Sequence, residues 1–277
     1  MTIAIGMLCE GGVIIAADTK VSNPSIGAST DAVKVQTGSS EFGRYVAAYS
    51  SERAATGESL LQIVLSDLKL KNPKSLGALK PAVQTTMTKW AKAYTIKDDR
   101  PETQLVLAAF MERNENNQHD EIGLFLCDPP NTVVQRTFQD SKGYVSCGVG
   151  KTITDPFFRI LFGELVSPHH CLCQISYLMS VAKTDYSVYV GGETDAVCLI
   201  AERKEPVWIE RLDMKMAEGF GEFFDEALAS VARVVTSEIE WSDPKETVRI
   251  LGIMSHIGLA FQRIKFRSRD RANPYDL

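Results

Sequence analysis

Thr2-Ile3-Ala4-Ile5-Gly6-Met7-Leu8-Cys9-Glu10-Gly11-Gly12-Val13-Ile14-Ile15-Ala16-Ala17-Asp18 is the stretch from which the architecture is read. Two short apolar runs flank Glu10-Gly11-Gly12, and a glycine turn between such runs predicts a β-hairpin. The second run, residues 13–17, is apolar without alternation, so both of its faces need cover. Asp18 ends it.

Working outward, residues 19–30 form a polar stretch containing Asn23-Pro24 and Gly27, and short strands are predicted over 32–36 and 45–49. Leu60, Leu61, Val64, Leu65, Leu68 and Leu70 recur at helical spacing, predicting a helix from Ser51-Glu52 to Asn72-Pro73. A second helix is predicted over 76–95, with Leu79, Val83, Met87, Trp90, Ala91 and Tyr94 on or near one face. Strands over 104–111, 121–127, 132–137 and 143–147 follow, then helices over 152–162 and 168–183. Strands return over 186–190, 196–202 and 206–212, and two long amphipathic segments, 217–239 and 244–264, close the chain. Strands that are apolar throughout, separated by pairs of helices, predict an α+β fold with two stacked sheets and a helix layer outside each. The expected organisation is one domain over 2–212 and a helical C-terminal extension over 213–277.

The chain has 277 residues, 44% of them hydrophobic and 23% charged, the profile of a globular protein with a substantial core. A net charge of −5 argues against general nucleic-acid binding. No apolar run reaches the roughly 18 residues that span a bilayer, and the start lacks a basic segment followed by a long apolar stretch. The expectation is a cytoplasmic protein with no membrane and no nucleic-acid partner. Cys9, Cys127, Cys147 and Cys198 sit in apolar, strand-like surroundings and read as small buried hydrophobes. His169-His170-Cys171-Leu172-Cys173 lacks a metal-binding spacing and a second half, so it reads as a helix face, and no metal is expected. Gly148-Val149-Gly150-Lys151 lacks the phosphate-loop spacing. The basic residues Arg263, Lys265, Arg267, Arg269 and Arg271 read as a helix end or solvated tail.

Thr2 through Gly6, with Gly12 through Lys20, resembles the opening of proteasome β subunits and their bacterial relatives, members of the N-terminal-nucleophile hydrolase class. In that family a mature N-terminal threonine is followed by an aspartate sixteen residues later and a lysine thirty-two residues later. Asp18 and Lys34 stand at those separations from Thr2. Ser22 falls where a substrate-lining threonine usually sits. The strand, turn and helix from Tyr45 through Ser51 onward resembles the element whose turn amide forms the oxyanion hole, placing Ser50 and Ser51 there. Tyr144 through Gly150 resembles the Gly-x-Gly that follows a later strand. The resemblance covers about residues 2–212 and implies a four-layer αββα sandwich, with a divergent bacterial homologue of the proteasome as the nearest description.

What the resemblance implies chemically is an N-terminal threonine hydrolase. A threonine hydroxyl attacks only once a base takes its proton. At a chain start the α-amine, with a reference pKa of roughly 7.7–8.0, leaves a useful neutral fraction. Lys34 would stabilise the deprotonating hydroxyl, and Asp18 would hold that lysine oriented. A backbone amide near Ser50 or Ser51 would stabilise the oxyanion. All of this requires loss of Met1, and a threonine at position two is small enough for methionine aminopeptidase. No cofactor is implied. The implied partners are further copies of the chain in a ring or other homo-oligomer, a peptide or unfolded-protein substrate, and a regulatory ATPase.

The chain also departs from the family pattern. Val149 stands where the Gly-x-Gly carries serine, and Ser187-Val188-Tyr189-Val190-Gly191-Gly192 stands where the family has Asp-x-x-Ser-Gly-Gly. Asp185 lies two positions before that aspartate's place, and Ser187 is a candidate for a supporting hydrogen bond. These differences keep two alternatives open, a non-catalytic structural subunit and a small-amide acylase of the same fold.

Overall fold

The structure is a computed structural model and describes residues 2–23, 28–93, 102–115, 119–137, 143–149, 151–152, 154–156 and 165–219. It is a mixed α/β fold built on antiparallel sheets. The first hairpin is β1 (Ile3–Cys9) and β2 (Gly12–Asp18), paired with Ala4 opposite Ala17. The first sheet has the order β10-β1-β2-β11-β12, with β10 Tyr144–Gly148, β11 Thr194–Ile200 and β12 Val207–Ile209. The second has the order β5-β6-β7-β8-β9, with β5 Val35–Ser39, β6 Gly43–Ser51, β7 Thr103–Met111, β8 Glu121–Asp128 and β9 Thr132–Arg136.

Alternation along the strands sorts the side chains between layers. Ala4, Val13, Ile15, Ala17, Val145 and Cys147 of the first sheet pack against Val46, Ala48, Val106, Ala108 and Leu124 of the second. The sheets approach closely at Gly6, where a Cβ would lie 2.6 Å from Leu124 Cδ1 and 2.7 Å from Val106 Cγ1. Ile3, Ile5, Met7, Ile14, Ala16 and Cys198 point to the opposite face of the first sheet and meet α3 (Pro168–Asp185) and α4 (Arg211–Gly219). Tyr45, Ala47, Tyr49, Leu105, Leu107 and Phe125 face α1 (Ala54–Lys71) and α2 (Leu76–Lys92).

The helix punctuation follows local chemistry. Asn72 ends α1 in the left-handed region at φ 44°, its N–H donating to the Leu68 carbonyl 3.0 Å away, and Pro73 follows. Ser75 caps α2 by accepting from the Ala78 amide, and Ser167 caps α3 ahead of Pro168. All six cysteines are free and buried, Cys171 and Cys173 among them on α3.

Several boundaries differ from expectation. The polar stretch 19–30 supplies a two-stranded ribbon, β3 (Lys20–Asn23) with β4 (Ala28–Asp31), held by main-chain pairing that needs no apolar pattern. Residues 32–34 connect that ribbon to β5, so the strand expected over 32–36 begins only at Val35. No strand forms over 186–190: the Tyr189 and Val190 amides both donate to the Tyr186 carbonyl at 2.8 Å, and a turn follows α3. Aromatic and branched side chains there imitate a strand locally, but the turn bonds prevail. Asp185 accordingly ends a helix and is exposed. The strand expected over 206–212 stops at Ile209, and α4 begins at Arg211. Most of the helix expected over 152–162, Tyr94 and Thr95 of the second helix, all but residues 217–219 of the segment 217–239, and the whole segment 244–264 lie outside the described residues.

Candidate active site

The β1–β2 register carries Asp18 next to the first residues of β1, and the Ile3 amide donates to Asp18 Oδ1 at 3.1 Å. The Thr2 hydroxyl also donates to Oδ1. Lys34 approaches from the connection between β4 and β5 and donates to Thr2 Oγ1, to Asp18 Oδ1 at 3.0 Å and to the Lys20 carbonyl. An ammonium has three donors, and here each has an acceptor. The second carboxylate oxygen of Asp18 accepts the Gly191 amide at 3.2 Å. Thr2, Asp18 and Lys34 are 2%, 0% and 2% exposed, so a hydroxyl, a carboxylate and an amine share a site nearly closed to water.

That burial has an electrostatic consequence. Desolvation pulls the Lys34 ammonium below its ordinary range, and the neighbouring Asp18 carboxylate opposes the shift. A lysine lowered in this way is a better proton donor and can exist as an amine nearer neutrality. The ion pair does not stabilise as a surface pair would, because the desolvation of both groups offsets their attraction. What the cluster provides is a fixed orientation of the Thr2 oxygen.

The main chain of Thr2 is fixed from the other side. Val149 donates its amide to the Thr2 carbonyl at 3.1 Å. Gly148, at φ +84°, lies opposite Ile3, and a Cβ there would sit 1.9 Å from the Thr2 carbonyl oxygen and 2.5 Å from Ser50 Oγ. Only glycine fits that approach. The missing serine side chain at Val149 leaves this amide contact intact.

The remaining residues singled out by sequence sit as follows. Ser50 is buried and its Oγ borders Gly148, close to Thr2. The Ser51 hydroxyl is engaged elsewhere, 2.8 Å from Thr103 Oγ1 and accepting the Arg53 amide at 3.2 Å. Ser22 pairs through its backbone with Ser29 in the ribbon, and its side chain lies outside the described ones. Ser187 is exposed in the turn after α3, and its carbonyl accepts from Lys20 Nζ at 2.6 Å. Val190 is buried in the core beneath α3.

Sequence reading missed Gly191 and Lys20 as site neighbours. The pair Gly191-Gly192 was the available signal, since glycines allow the turn to approach Asp18. The role of Lys20 is a main-chain carbonyl, for which no residue type gives a signal.

No family model matches the chain, and no curated protein matches its sequence. Solved structures do match. The chain shares its fold with Anbu. A Gly-1 mutant of Anbu from Hyphomicrobium sp. strain MC1 superimposes with a TM-score of 0.66 at 14% identity, covering 86% of this chain and 100% of that one. Anbu, an ancestral β-subunit, from Yersinia bercovieri gives a TM-score of 0.64 at 15% identity over 82% of this chain and 97% of its own. A helical assembly of the Anbu complex from Pseudomonas aeruginosa gives 0.60 at 12% identity, over 98% of this chain and 100% of that one. Among the described residues no helix is long and apolar enough to cross a membrane.

Proposed function

We propose that this chain is a proteasome-like N-terminal threonine hydrolase that cleaves amide bonds, with Thr2 as nucleophile once Met1 is removed. The observation that carries this reading is the buried convergence of Lys34 and Asp18 on the Thr2 hydroxyl. In the proposed step the freed Thr2 amine takes the hydroxyl proton as the oxygen attacks the substrate carbonyl. Lys34 stabilises the negative charge on that oxygen, and Asp18 holds Lys34 in place. Collapse of the tetrahedral intermediate breaks the C–N bond, the leaving amine takes the proton, and an ester on Thr2 remains for water to hydrolyse. A main-chain amide at the β6–α1 junction, near Ser50 and Ser51, is the proposed oxyanion donor, with Ser22 lining the substrate cleft.

The substrate is proposed to be a peptide or unfolded protein, and the assembly a cytoplasmic homo-oligomer, ring-like or helical, served by a regulatory ATPase. Oligomerisation is supported by the helical assembly of the Pseudomonas aeruginosa neighbour. The proposed architecture is the four-layer αββα sandwich over 2–212, with 213–277 as a helical extension.

Intact mass is the first test, because a retained Met1 excludes the amine as base. Acylation of Thr2 by a threonine-directed electrophile, and turnover of fluorogenic peptides, should then vanish in Thr2→Ala and persist in part in Thr2→Ser. Activity surviving in Thr2→Ala would show the nucleophile to be wrong. A non-catalytic subunit is the second reading, favoured by Val149 and by the exposed turn at Ser187. It predicts an inert Thr2 in an assembled oligomer. Hydrolysis of small N-acyl substrates without peptide cleavage would indicate an acylase instead.

A further inference from the structure

The helix α4 packs its Met214 and Ala217 beneath the first sheet, and its two ends bond between them to the three consecutive residues 193–195. At the start of α4, Arg211 forms a two-pronged pair with Asp195, Nε to Oδ1 at 2.7 Å and Nη2 to Oδ2 at 3.2 Å, and also binds the Glu193 carboxylate. At its end, Glu218 accepts from the Thr194 hydroxyl and pairs with Lys183 of α3 at 2.7 Å. Thr194 stands directly opposite Asp18 across the β11–β2 pairing.

Glu193 is the joint between this clamp and the site. Its amide donates to Thr19 Oγ1 at 2.9 Å, its carbonyl accepts the Thr19 amide at 2.9 Å, and the Thr19 hydroxyl donates to Asp31 at 3.0 Å. Two residues earlier, the Gly191 carbonyl accepts the Lys20 amide at 3.2 Å while the Gly191 amide holds Asp18 Oδ2. Segment 191–193 therefore runs alongside Thr19 and Lys20, and the Lys20 carbonyl is one of the three acceptors that fix Lys34. A single short segment thus touches Asp18 directly and reaches Lys34 through Lys20.

We infer that α4 is a positioning element of the threonine site and that Arg211 is its positioning residue. By gripping Glu193 and Asp195 it keeps segment 191–193 against Thr19 and Lys20, and so keeps Asp18 and Lys34 aimed at Thr2. The inference rests on reading Thr2, Asp18 and Lys34 as the reacting centre.

The test uses the full chain and two variants, Arg211→Ala and Glu193→Gln. The second takes the charge from only one of the two carboxylates that Arg211 grips, a half-exposed one, and leaves the Asp195 pair in place, so it keeps the test usable where the first fails to fold. Hydrogen exchange at the Gly191 and Glu193 amides should accelerate about tenfold in each variant, with no change in α1. Unchanged exchange overturns the inference whether or not Thr2 reacts. For Thr2 acylation, the maximal rate should fall about tenfold while the half-saturating electrophile concentration stays within about twofold. Arg211→Lys should recover part of the rate, and Lys71→Ala, which breaks the 2.6 Å Lys71–Asp67 pair on α1, should leave it unchanged. Faster exchange with acylation at the wild-type rate overturns the inference. Faster exchange in a chain whose wild-type Thr2 is inert supports the clamp and refutes the hydrolase reading instead.

Discussion

Gly148→Ala is expected to damage both stability and the candidate site, and the structure provides its own control. Gly148 and Gly11 both have positive φ, +84° and +64°, where an L side chain is strained by about 1–2 kcal/mol. Around Gly11 nothing lies within 4 Å of an added Cβ, whereas at Gly148 the Thr2 carbonyl oxygen lies 1.9 Å away and its carbon 2.9 Å. Relief of that overlap requires the Thr2 main chain to shift by about 1 Å, typical of overpacking that costs about 1–3 kcal/mol. The shift also loosens the Val149 amide bond to Thr2, whose net contribution is about 1 kcal/mol. Substituting alanine reduces the freedom of the unfolded chain equally at both positions, by about 0.4–1 kcal/mol, so this contribution cancels in the comparison. Gly148→Ala should therefore destabilise by about 2–4 kcal/mol more than Gly11→Ala. Guanidinium unfolding followed by tryptophan fluorescence measures the difference, and Thr2 acylation should be lost only in Gly148→Ala. Equal unfolding midpoints for the two variants would refute the close-approach reasoning.

The buried pair is expected to behave non-additively. Lys34→Met or Asp18→Asn alone should cost about 3–5 kcal/mol by leaving a buried charge without its main partner, while the double variant should cost less than either single one. Additive unfolding free energies would show that the two side chains do not interact. The pH dependence has a definite sign. Because burial lowers the Lys34 pKa in the folded chain, the unfolded chain holds more protons at this group between the lowered value and the ordinary lysine range. Wild-type stability relative to Lys34→Met should thus rise with pH through that window, as urea titrations from about pH 7 to about pH 10 would report. A relative stability that falls over this range would place the shift in the opposite direction.

Local pattern was enough for the strands and helices that carry continuous apolar faces. The hairpin of β1 and β2, the leucine spacing of α1, the stop at Asn72-Pro73 and the start of α3 after Ser167 all follow from side-chain periodicity and capping, which are encoded within a few residues. The spacing of Thr2, Asp18 and Lys34 was likewise legible as a register. Their meeting in a site closed to water required strands distant in sequence, β10 and β11, to pair beside the hairpin. The turn over 186–190 and the ribbon of β3 and β4 were decided by main-chain hydrogen bonds, which do not depend on the polarity pattern that a sequence displays. Tertiary structure alone supplied the main-chain groups that hold Lys34 and Asp18, the accepting Lys20 carbonyl and the donating Gly191 amide, because every residue carries such groups and only the folded path determines where they point.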